Sequence, residues 1–481
     1  MRQHTQYFDD LSSRPGSLCP RSKKVSLANL FLSLGGTGLL VYGYGSLFPI
    51  FAGLVFYTPS ELLLNIPKLF GKWERRAFRR MFSIGWFMLG VGGMYAEVFG
   101  DPLQLSADAY HFFRLASDQV AGLNIEEIRA LSEGAFAIVL WGKVYDLFSL
   151  MGFPRERYIG GLVNVTAIAF GVVFAVKTAI LIFGNDDRRI RLLLALFSFN
   201  GIIWMFAGIH LRDGMVFLAV AALTLQCGSF LNRPSIGIKF AIFTLALVTS
   251  GAFLSLLRTE FFFVPMVMAA ACAFAILFEL RPDRSRQAKL VLSALSVPVI
   301  SLLAYFYGTD LTNSVSGGHE GYINHLSAQQ ADDSLAMRWI ADAPTPLRAI
   351  LGTIYLYIFP VPVWSGFLSN SAVDLFRSVN AISFYFVIPL LLLGIIRVTG
   401  SRVAREPPIL FLLCISLGFS IAVALTSLEN RHLGAFLAPI LLFALVPDLS
   451  REPVRRNYRT LLSAFLVATF AIHIFWILIK I

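Results

Sequence analysis

Apolar residues run in long, nearly unbroken stretches along this chain, separated by short polar segments. A hydrocarbon core of roughly 30 Å needs about 20 apolar residues per helix, because each helical residue rises about 1.5 Å. Many stretches reach that length, so the pattern predicts an all-α polytopic membrane protein with about 13 transmembrane helices. The predicted spans are residues 27–44, 46–64, 81–99, 158–183, 192–209, 214–231, 239–257, 261–280, 290–307, 379–396, 408–426, 433–447 and 460–479.

Composition supports a membrane environment and argues against other classes. Of the 481 residues 57% are hydrophobic and only 14% charged, which is too apolar for a soluble domain of this size. The net charge of +11 is scattered among short loops, so we expect no nucleic-acid partner. Three of the four cysteines fall inside apolar stretches, and the fourth lies in the basic N-terminal arm. Their spacing predicts neither a disulfide nor a zinc cluster.

Charge distribution predicts the topology. With the N-terminus in the cytoplasm, the basic arm 1–26 and the inner loops hold 27 of the 40 basic residues and 9 acidic ones. The opposite face holds 12 basic and 17 acidic residues. This bias has the sign of the positive-inside rule. We therefore predict a cytoplasmic arm followed by one transmembrane domain over 27–479.

Two segments on the predicted outer face are large, residues 100–157 and 308–378. Each contains an apolar stretch that could cross the bilayer, Gly134 to Gly152 and Ala349 to Trp364. One additional crossing at either place would reverse the charge bias of every later loop. Both stretches are therefore predicted to be interfacial helices, the first because its Trp and Tyr side chains suit the bilayer surface and the second because prolines interrupt it.

The first outer segment carries two carboxylates, Asp101 and Asp108, just beyond the third predicted span. A carboxylate at this surface could act as a general base that removes a proton from an acceptor hydroxyl. The alternative is structural: Asp101 with Pro102 forms a turn, and Asp108 caps the helix that begins at Ala109.

Short outer connections combine arginines with acids and histidines. Cations at the outer mouth could hold a phosphate or diphosphate, for which the guanidinium fork is well shaped. The alternative is that each arginine snorkels or pairs with its neighbouring acid. The residues concerned are His210, Arg212 and Asp213 in the first connection, Arg258 and Glu260 in the second, and Glu429, Arg431 and His432 in the third.

The second outer segment contains His319 and Glu320 in a glycine-rich stretch. One His–Glu pair is weak evidence for a divalent metal, and the sequence defines no ligand set for one. We expect a loop that covers the substrate or is simply solvated.

The order of these features resembles the GT-C class of membrane glycosyltransferases, which includes protein O-mannosyltransferases and polysaccharide-locus enzymes. The elements that carry the resemblance are degenerate and span residues 81–447. They are an outer loop with Asp101 and Asp108, an interfacial helix ending Met151-Gly152-Phe153-Pro154, Arg212-Asp213-Gly214 and Arg258 at outer helix starts, the proline-rich turn Phe359 to Trp364, and Arg431 to Pro439.

The resemblance implies a polyprenyl-linked sugar donor and a glycan, lipid or protein acceptor at the outer face of a bacterial inner membrane. It implies Asp108 as the first choice for the base and Asp101 as the second. The implied donor-phosphate residues are Arg258, Arg431 and Arg212. Asp213, His210, Glu260, His319 and Glu320 would shape the site.

Two other functions fit the same sequence features. A flippase for lipid-linked saccharide would use the cationic mouth without bond chemistry, but it usually needs several ionisable residues within the spans. The predicted spans place only Glu61 and Lys177 there, clear of their ends. An O-antigen ligase-like enzyme would depend on His111, His319 or His325 in place of an acid.

Overall fold

The computed structural model describes residues 26–67, 69–99, 107–119, 135–232, 238–258, 261, 263–278, 339–340, 342–400 and 406–480. Every regular element within these ranges is helical. The first nine helices are α1 Leu27–Tyr44, α2 Phe48–Leu64, α3 Lys72–Phe99, α4 Ala107–Arg114, α5 Ala135–Leu150, α6 Arg157–Phe183, α7 Asp187–Ser198, α8 Gly201–Gly208 and α9 Asp213–Asn232. The others are α10 Ile238–Leu257, α11 Val264–Leu277, α12 Thr345–Ile358, α13 Ser365–Leu368, α14 Ala372–Gly400, α15 Pro407–Thr426, α16 Asn430–Gly434, α17 Leu437–Phe443 and α18 Glu452–Lys480.

Seven of the described helices are long and apolar enough to cross a membrane, namely α1, α6, α9, α10, α14, α15 and α18. Helices α7 and α8 form an eighth candidate as a broken span bent by 55°. These helices make the chain a multi-pass, all-helical membrane protein, as the apolar pattern predicts.

The number of qualifying helices among the described residues is below the 13 predicted. Helices α2 and α11 are apolar but only 17 and 14 residues long. The predicted span 433–447 contains the end of α16 and the seven-residue α17, which rises only about 10 Å. All of α17 is buried in protein. The predicted span 290–307 lies outside the described residues.

Burial separates central helices from peripheral ones. In α6 and α9, 61% and 72% of the apolar window is buried, against 11% in both α1 and α18. The outer surfaces of α1 and α18 instead expose large apolar side chains such as Phe31 and Phe475, which suits lipid contact. The core therefore centres on α6 and α9.

Contacts between distant segments separate into two faces. On one face Lys72 and Trp73 contact Asp187, and Arg189 lies 3.6 Å from Asp448. All of these residues belong to the predicted inner loops, so we call this the basic face. On the opposite face, segments assigned to the outside contact one another. The charge bias thus grouped these loops correctly, because residues on the same side of the helices are near enough to pair.

Helix α5 covers the first stretch predicted to be interfacial, and its aromatic residues differ from that prediction. Lys143 is exposed and Asp146 is half-buried, whereas Trp141 and Tyr145 are completely buried in protein instead of facing the bilayer surface. In the second stretch, helix α12 ends at Ile358, just before a cis Phe359–Pro360 bond.

Candidate functional site

Charged side chains from four separate segments meet at one end of the helices, on the face opposite the basic face. Helix α4 brings Asp108, the connection before α9 brings Arg212 and Asp213, and α10 ends just before Arg258. The segment from Ser427 to His432, which leads into α16, completes the group. We call the group the mouth cluster; its members are Asp108, Arg212, Asp213, Arg258, Ser427, Glu429, Arg431 and His432.

Contacts from helix α6 hold the connection that carries Arg212 in place. Asn164, a buried residue of α6, donates a hydrogen bond of 2.6 Å to the carbonyl oxygen of Leu211. Gly160, one turn earlier on α6, leaves room for the rings of His210 and Tyr145, which a Cβ atom there would strike. Arg212 and Asp213 therefore start α9 from a rigid support.

Arg431 joins two carboxylates. Its Nη1 lies 2.8 Å from Asp108 Oδ2, and its Nε lies 2.5 Å from Glu429 Oε2. Burial alone would lower the pKa of Arg431, but the negative charges of Glu429, Asp213 and Asp108 outweigh it and raise that pKa. Arg431 is thus a permanent cation bridging two segments that are more than 300 positions apart in sequence.

Asp108 is the most accessible acid of this group. Its side chain is 50% exposed, against 24% for Glu429 and 7% for Asp213. Partial burial would raise the pKa of Asp108, but the charge and hydrogen bond of Arg431 overcome this effect. Arg212 and Arg258 act in the same direction, and the pKa is lowered. Asp108 is therefore ionised, and a weak base while Arg431 holds it.

The contacts of Arg258 fix the protonation state of a histidine. Arg258 Nη1 lies 3.4 Å from Asp213 Oδ1, and its Nη2 lies 3.1 Å from His432 Nε2. A guanidinium only donates, so His432 Nε2 accepts and the imidazole is neutral. Its proton is then on Nδ1, which donates to Ser427 Oγ at 2.7 Å.

The electrostatics of the mouth cluster agree with that geometry. Burial lowers the pKa of His432 well below its ordinary value, and the charges of Arg258, Arg431 and Arg212 lower it further. With a neutral histidine, the three arginines of the described cluster face three carboxylates. An anion that binds there must therefore either displace one of the carboxylates from its arginine or leave the cluster with a net negative charge.

Arg212 packs against an aromatic ring. Its guanidinium carbon lies 5.4 Å from the ring centroid of Phe112, on the same short helix as Asp108, and the residue is only 8% exposed. This position over the ring adds a cation–π attraction to the ionic contacts of the cluster. Helix α4 thus contributes both a carboxylate and a platform for an arginine.

The backbone beside the mouth cluster is strained. Leu428, directly before Glu429, has a φ of +49°, a left-handed conformation that a leucine rarely adopts. Its side chain is buried with Ile340 and Tyr355, which holds it there. This packing determines the direction in which Glu429 and Arg431 leave helix α15.

The structure brings together the predicted residues Asp108, Arg212, Asp213, Arg258 and Arg431. His210 is nearby in sequence but lies beneath the cluster, with its Nε2 3.0 Å from Tyr145 Oη and its ring centroid 4.0 Å from that of Trp141. It supports the connection and takes no part in the ion pairs. Four other predicted residues, Asp101, Glu260, His319 and Glu320, lie outside the described residues.

Ser427 was not predicted as a site residue, and Glu429 and His432 were noted beside Arg431 without a role in the site. The available signal was their sequence position, because Glu429 and His432 flank Arg431 on a short helix and its cap. Sequence alone could not show that His432 turns toward Arg258, since these two residues are 174 positions apart.

Neither a search for metal-binding side chains nor comparison with known proteins assigns a function to the mouth cluster. The described part of the chain contains no group of three or more His, Cys, Asp or Glu side chains placed to hold a metal ion. No family model, no curated protein and no solved structure matches this chain.

Proposed function

We propose that this protein is a GT-C-like membrane glycosyltransferase or polysaccharide polymerase that uses a polyprenyl-linked sugar donor. The observation that carries the proposal is the convergence of Arg212, Arg258 and Arg431 on Asp108, from four segments far apart in the chain. If each arginine only paired with an acid of its own loop, the loops would not need to come together. A shared site for an anionic substrate requires the arginines of separate loops to lie close to one another.

The chemistry of the mouth cluster suits a phosphate-linked donor. Three arginines at the end of apolar helices can bind the phosphate oxygens in pairs, while the prenyl chain lies among apolar side chains. Glu429 and Asp213 keep Arg431 and Arg258 oriented. A lipid-borne donor also accounts for a transferase that consists almost entirely of membrane helices.

Asp108 is the proposed base. Its carboxylate takes the proton of an acceptor hydroxyl, whose oxygen attacks the anomeric carbon of the sugar. The bond between that carbon and the phosphate oxygen breaks, and the polyprenyl phosphate or diphosphate leaves with the bonding electrons. The leaving group remains on the arginines. Asp101 is the second choice for this role.

Donor binding would also activate the base. Asp108 is half exposed and hydrogen-bonded to Arg431, so it is the carboxylate that an incoming phosphate can displace most easily. Once Arg431 binds the phosphate, Asp108 loses its closest cation and its pKa rises toward that of an effective base. Asp108 would therefore deprotonate the acceptor hydroxyl efficiently only after the donor has bound.

The proposed location is the bacterial inner membrane, with the N-terminus in the cytoplasm and the mouth cluster at the outer face. The excess of basic residues in the opposite loops supports this orientation. The proposed acceptor is a glycan, lipid or protein that presents a hydroxyl at that face.

The test is transfer of labelled glycan from polyprenyl-linked donors by the purified protein in lipid vesicles. Asp108→Asn should abolish transfer, while binding of polyprenyl phosphate is retained or becomes tighter because the competing carboxylate is gone. Arg258→Ala should weaken binding roughly tenfold or more, as expected for loss of a charge-assisted contact. Asp374→Asn, which removes another acid paired with an arginine, is the matched control and should behave as wild type.

Two results would overturn the proposal. Full transfer by Asp108→Asn would remove this residue as the base. Movement of intact lipid-linked saccharide across the bilayer, with no transfer from any donor, would instead assign the mouth cluster to a flippase.

A further inference from the structure

A second group of arginines lies on the basic face, far from the mouth cluster. Arg189 at the start of α7 and Arg451 just before α18 both approach Asp448 Oδ2, at 3.6 and 3.3 Å. Arg397 near the end of α14 donates a hydrogen bond of 2.8 Å to the carbonyl oxygen of Val446. Two helices thus direct guanidinium groups toward the segment 446–451, which itself contributes Arg451.

Positive charge in this group exceeds its negative charge. Asp448 is the acid that Arg189 and Arg451 share, and two hydrogen bonds from Ser450 also occupy it. Asp186 lies 3.6 Å from Arg189 Nε, but it already caps the backbone amides of α7. Even with Asp186 counted, the three arginines exceed by one charge the acids that pair with them among the described residues. In the mouth cluster, by contrast, the described charges balance.

Arg189 keeps an unsatisfied donor, and Arg451 is accessible to an incoming anion. Arg189 Nε is buried, lies 3.6 Å from Asp186 Oδ2 and makes no hydrogen bond to the described residues. The side chain of Arg451 is 66% exposed, at the foot of α18, a helix with only 11% of its apolar window buried in protein. Arg451 is therefore open to an anion that reaches this end of α18, where Arg455, Arg456 and Arg459 are also exposed.

We propose that Arg189, Arg397 and Arg451 bind the phosphate of an anionic phospholipid headgroup. The ends of membrane-crossing helices lie at the depth of lipid phosphates, and anionic lipids concentrate near basic segments. Arginine suits this ligand because its planar fork contacts two phosphate oxygens at once. The lipid links the ends of α7, α14 and α18, where Asp448 and Asp186 are the described acids that lie against the group. This inference does not depend on the proposed transferase activity.

The experiment measures which lipids stay bound to the purified protein. Detergent-solubilised protein is exposed to vesicles of phosphatidylglycerol and phosphatidylcholine in equal amounts, and native mass spectrometry counts the retained molecules. Wild type should retain phosphatidylglycerol preferentially. Arg451→Gln should reduce that preference roughly fivefold, the effect of one arginine near an anionic surface.

Arg191→Gln is the matched control, because Arg191 is equally exposed on the same face but pairs with Asp187 outside the group. It should leave the preference unchanged, and unfolding temperatures measured without lipid confirm that both variants fold. Equal retention of phosphatidylglycerol by Arg451→Gln and Arg191→Gln would overturn the proposal. Displacement of the lipid by millimolar inorganic phosphate would overturn it too, since the site would then recognise free phosphate.

Discussion

At the residue scale, two histidines on the face of the mouth cluster are held neutral for different reasons. Burial beneath the aromatic rings lowers the pKa of His210 to about 3, with a smaller contribution from the charge of Arg157. His432 lies among three arginines, and its Nε2 accepts from Arg258. Both imidazoles therefore stay neutral in the folded state at pH values where an unfolded histidine is protonated. At such pH values the folded state loses stability relative to the unfolded state.

The consequence is a stability that falls as pH falls. Unfolded histidine titrates near pH 6.5, so above that value both states carry neutral imidazole and the stability is complete. Below pH 6.5 this histidine binds a proton in the unfolded chain, whereas His210 in the folded protein stays neutral. The free energy of unfolding is therefore lower by about 2 kcal/mol at pH 5. The substitution His210→Gln should therefore reduce the drop in unfolding temperature between pH 7 and pH 5, although His432 retains its own contribution.

The control for this measurement is His111→Gln, since His111 is exposed on helix α4. It should show the wild-type pH dependence. A His210→Gln protein that loses as much stability on acidification as wild type would contradict the assignment of His210 as a neutral, buried group.

At the element scale, the bend between α7 and α8 places the outer connection. Asn200 caps α8 with its own side-chain oxygen and donates to Asn380 Oδ1 of α14 at 3.2 Å. Gly201 lies against the backbone of α14, where a Cβ atom would strike the carbonyl oxygen of Phe376 and the amide nitrogen of Asn380. This close approach sets the direction in which α8 leads to His210.

We expect Gly201→Ala to separate α8 from α14, because no side-chain rotation can relieve a collision with backbone atoms. The gain in helix propensity is about 1 kcal/mol, and overpacking costs about 1–3 kcal/mol, so the net effect should be destabilising. Transfer activity should fall with it, since α8 leads into the connection that carries Arg212. Thermal unfolding and the transfer assay measure the two effects.

Gly418→Ala is the matched substitution on α15, where no described atom lies within 4 Å of the added Cβ. It should leave stability unchanged or raise it slightly through helix propensity. If Gly201→Ala were as stable and active as Gly418→Ala, the close packing of α8 on α14 would not control the outer connection.

At the scale of the whole molecule, charges occupy two opposite faces with different compositions. The basic face carries the Arg189, Arg397 and Arg451 group, and the other face carries the mouth cluster. Glu61 pairs with Arg79, and Lys177 donates to the carbonyl oxygen of Leu69, so both ionisable residues predicted within spans are satisfied near the basic face. The seven membrane-crossing candidates among the described helices therefore keep their Asp, Glu, Lys and Arg residues toward the ends.

Accessibility of introduced cysteines tests this arrangement. In a background with Cys19 replaced, His111→Cys should react with a membrane-impermeant maleimide on intact cells. Arg188→Cys, exposed on the basic face, should react only after the cells are permeabilised. The other cysteines lie in membrane helices, two of them buried, and provide a low background. Labelling of both positions from one side would contradict the two-face arrangement, and the reverse pattern would invert the proposed orientation.

The sequence by itself determined the helical membrane class, the common face of the loops that begin at residues 66, 184 and 448, and the charged residues of the connections that form the mouth cluster. These properties follow from composition and charge bias, which act on each segment independently. It could not reveal that the predicted span 433–447 contains the end of α16 and the buried α17, because an apolar segment inside protein looks the same as one in lipid. Only the tertiary structure decided that Asp108 pairs with Arg431 and that His432 accepts from Arg258. Such contacts depend on how separate helices pack, and no local pattern encodes a meeting of residues 323 positions apart.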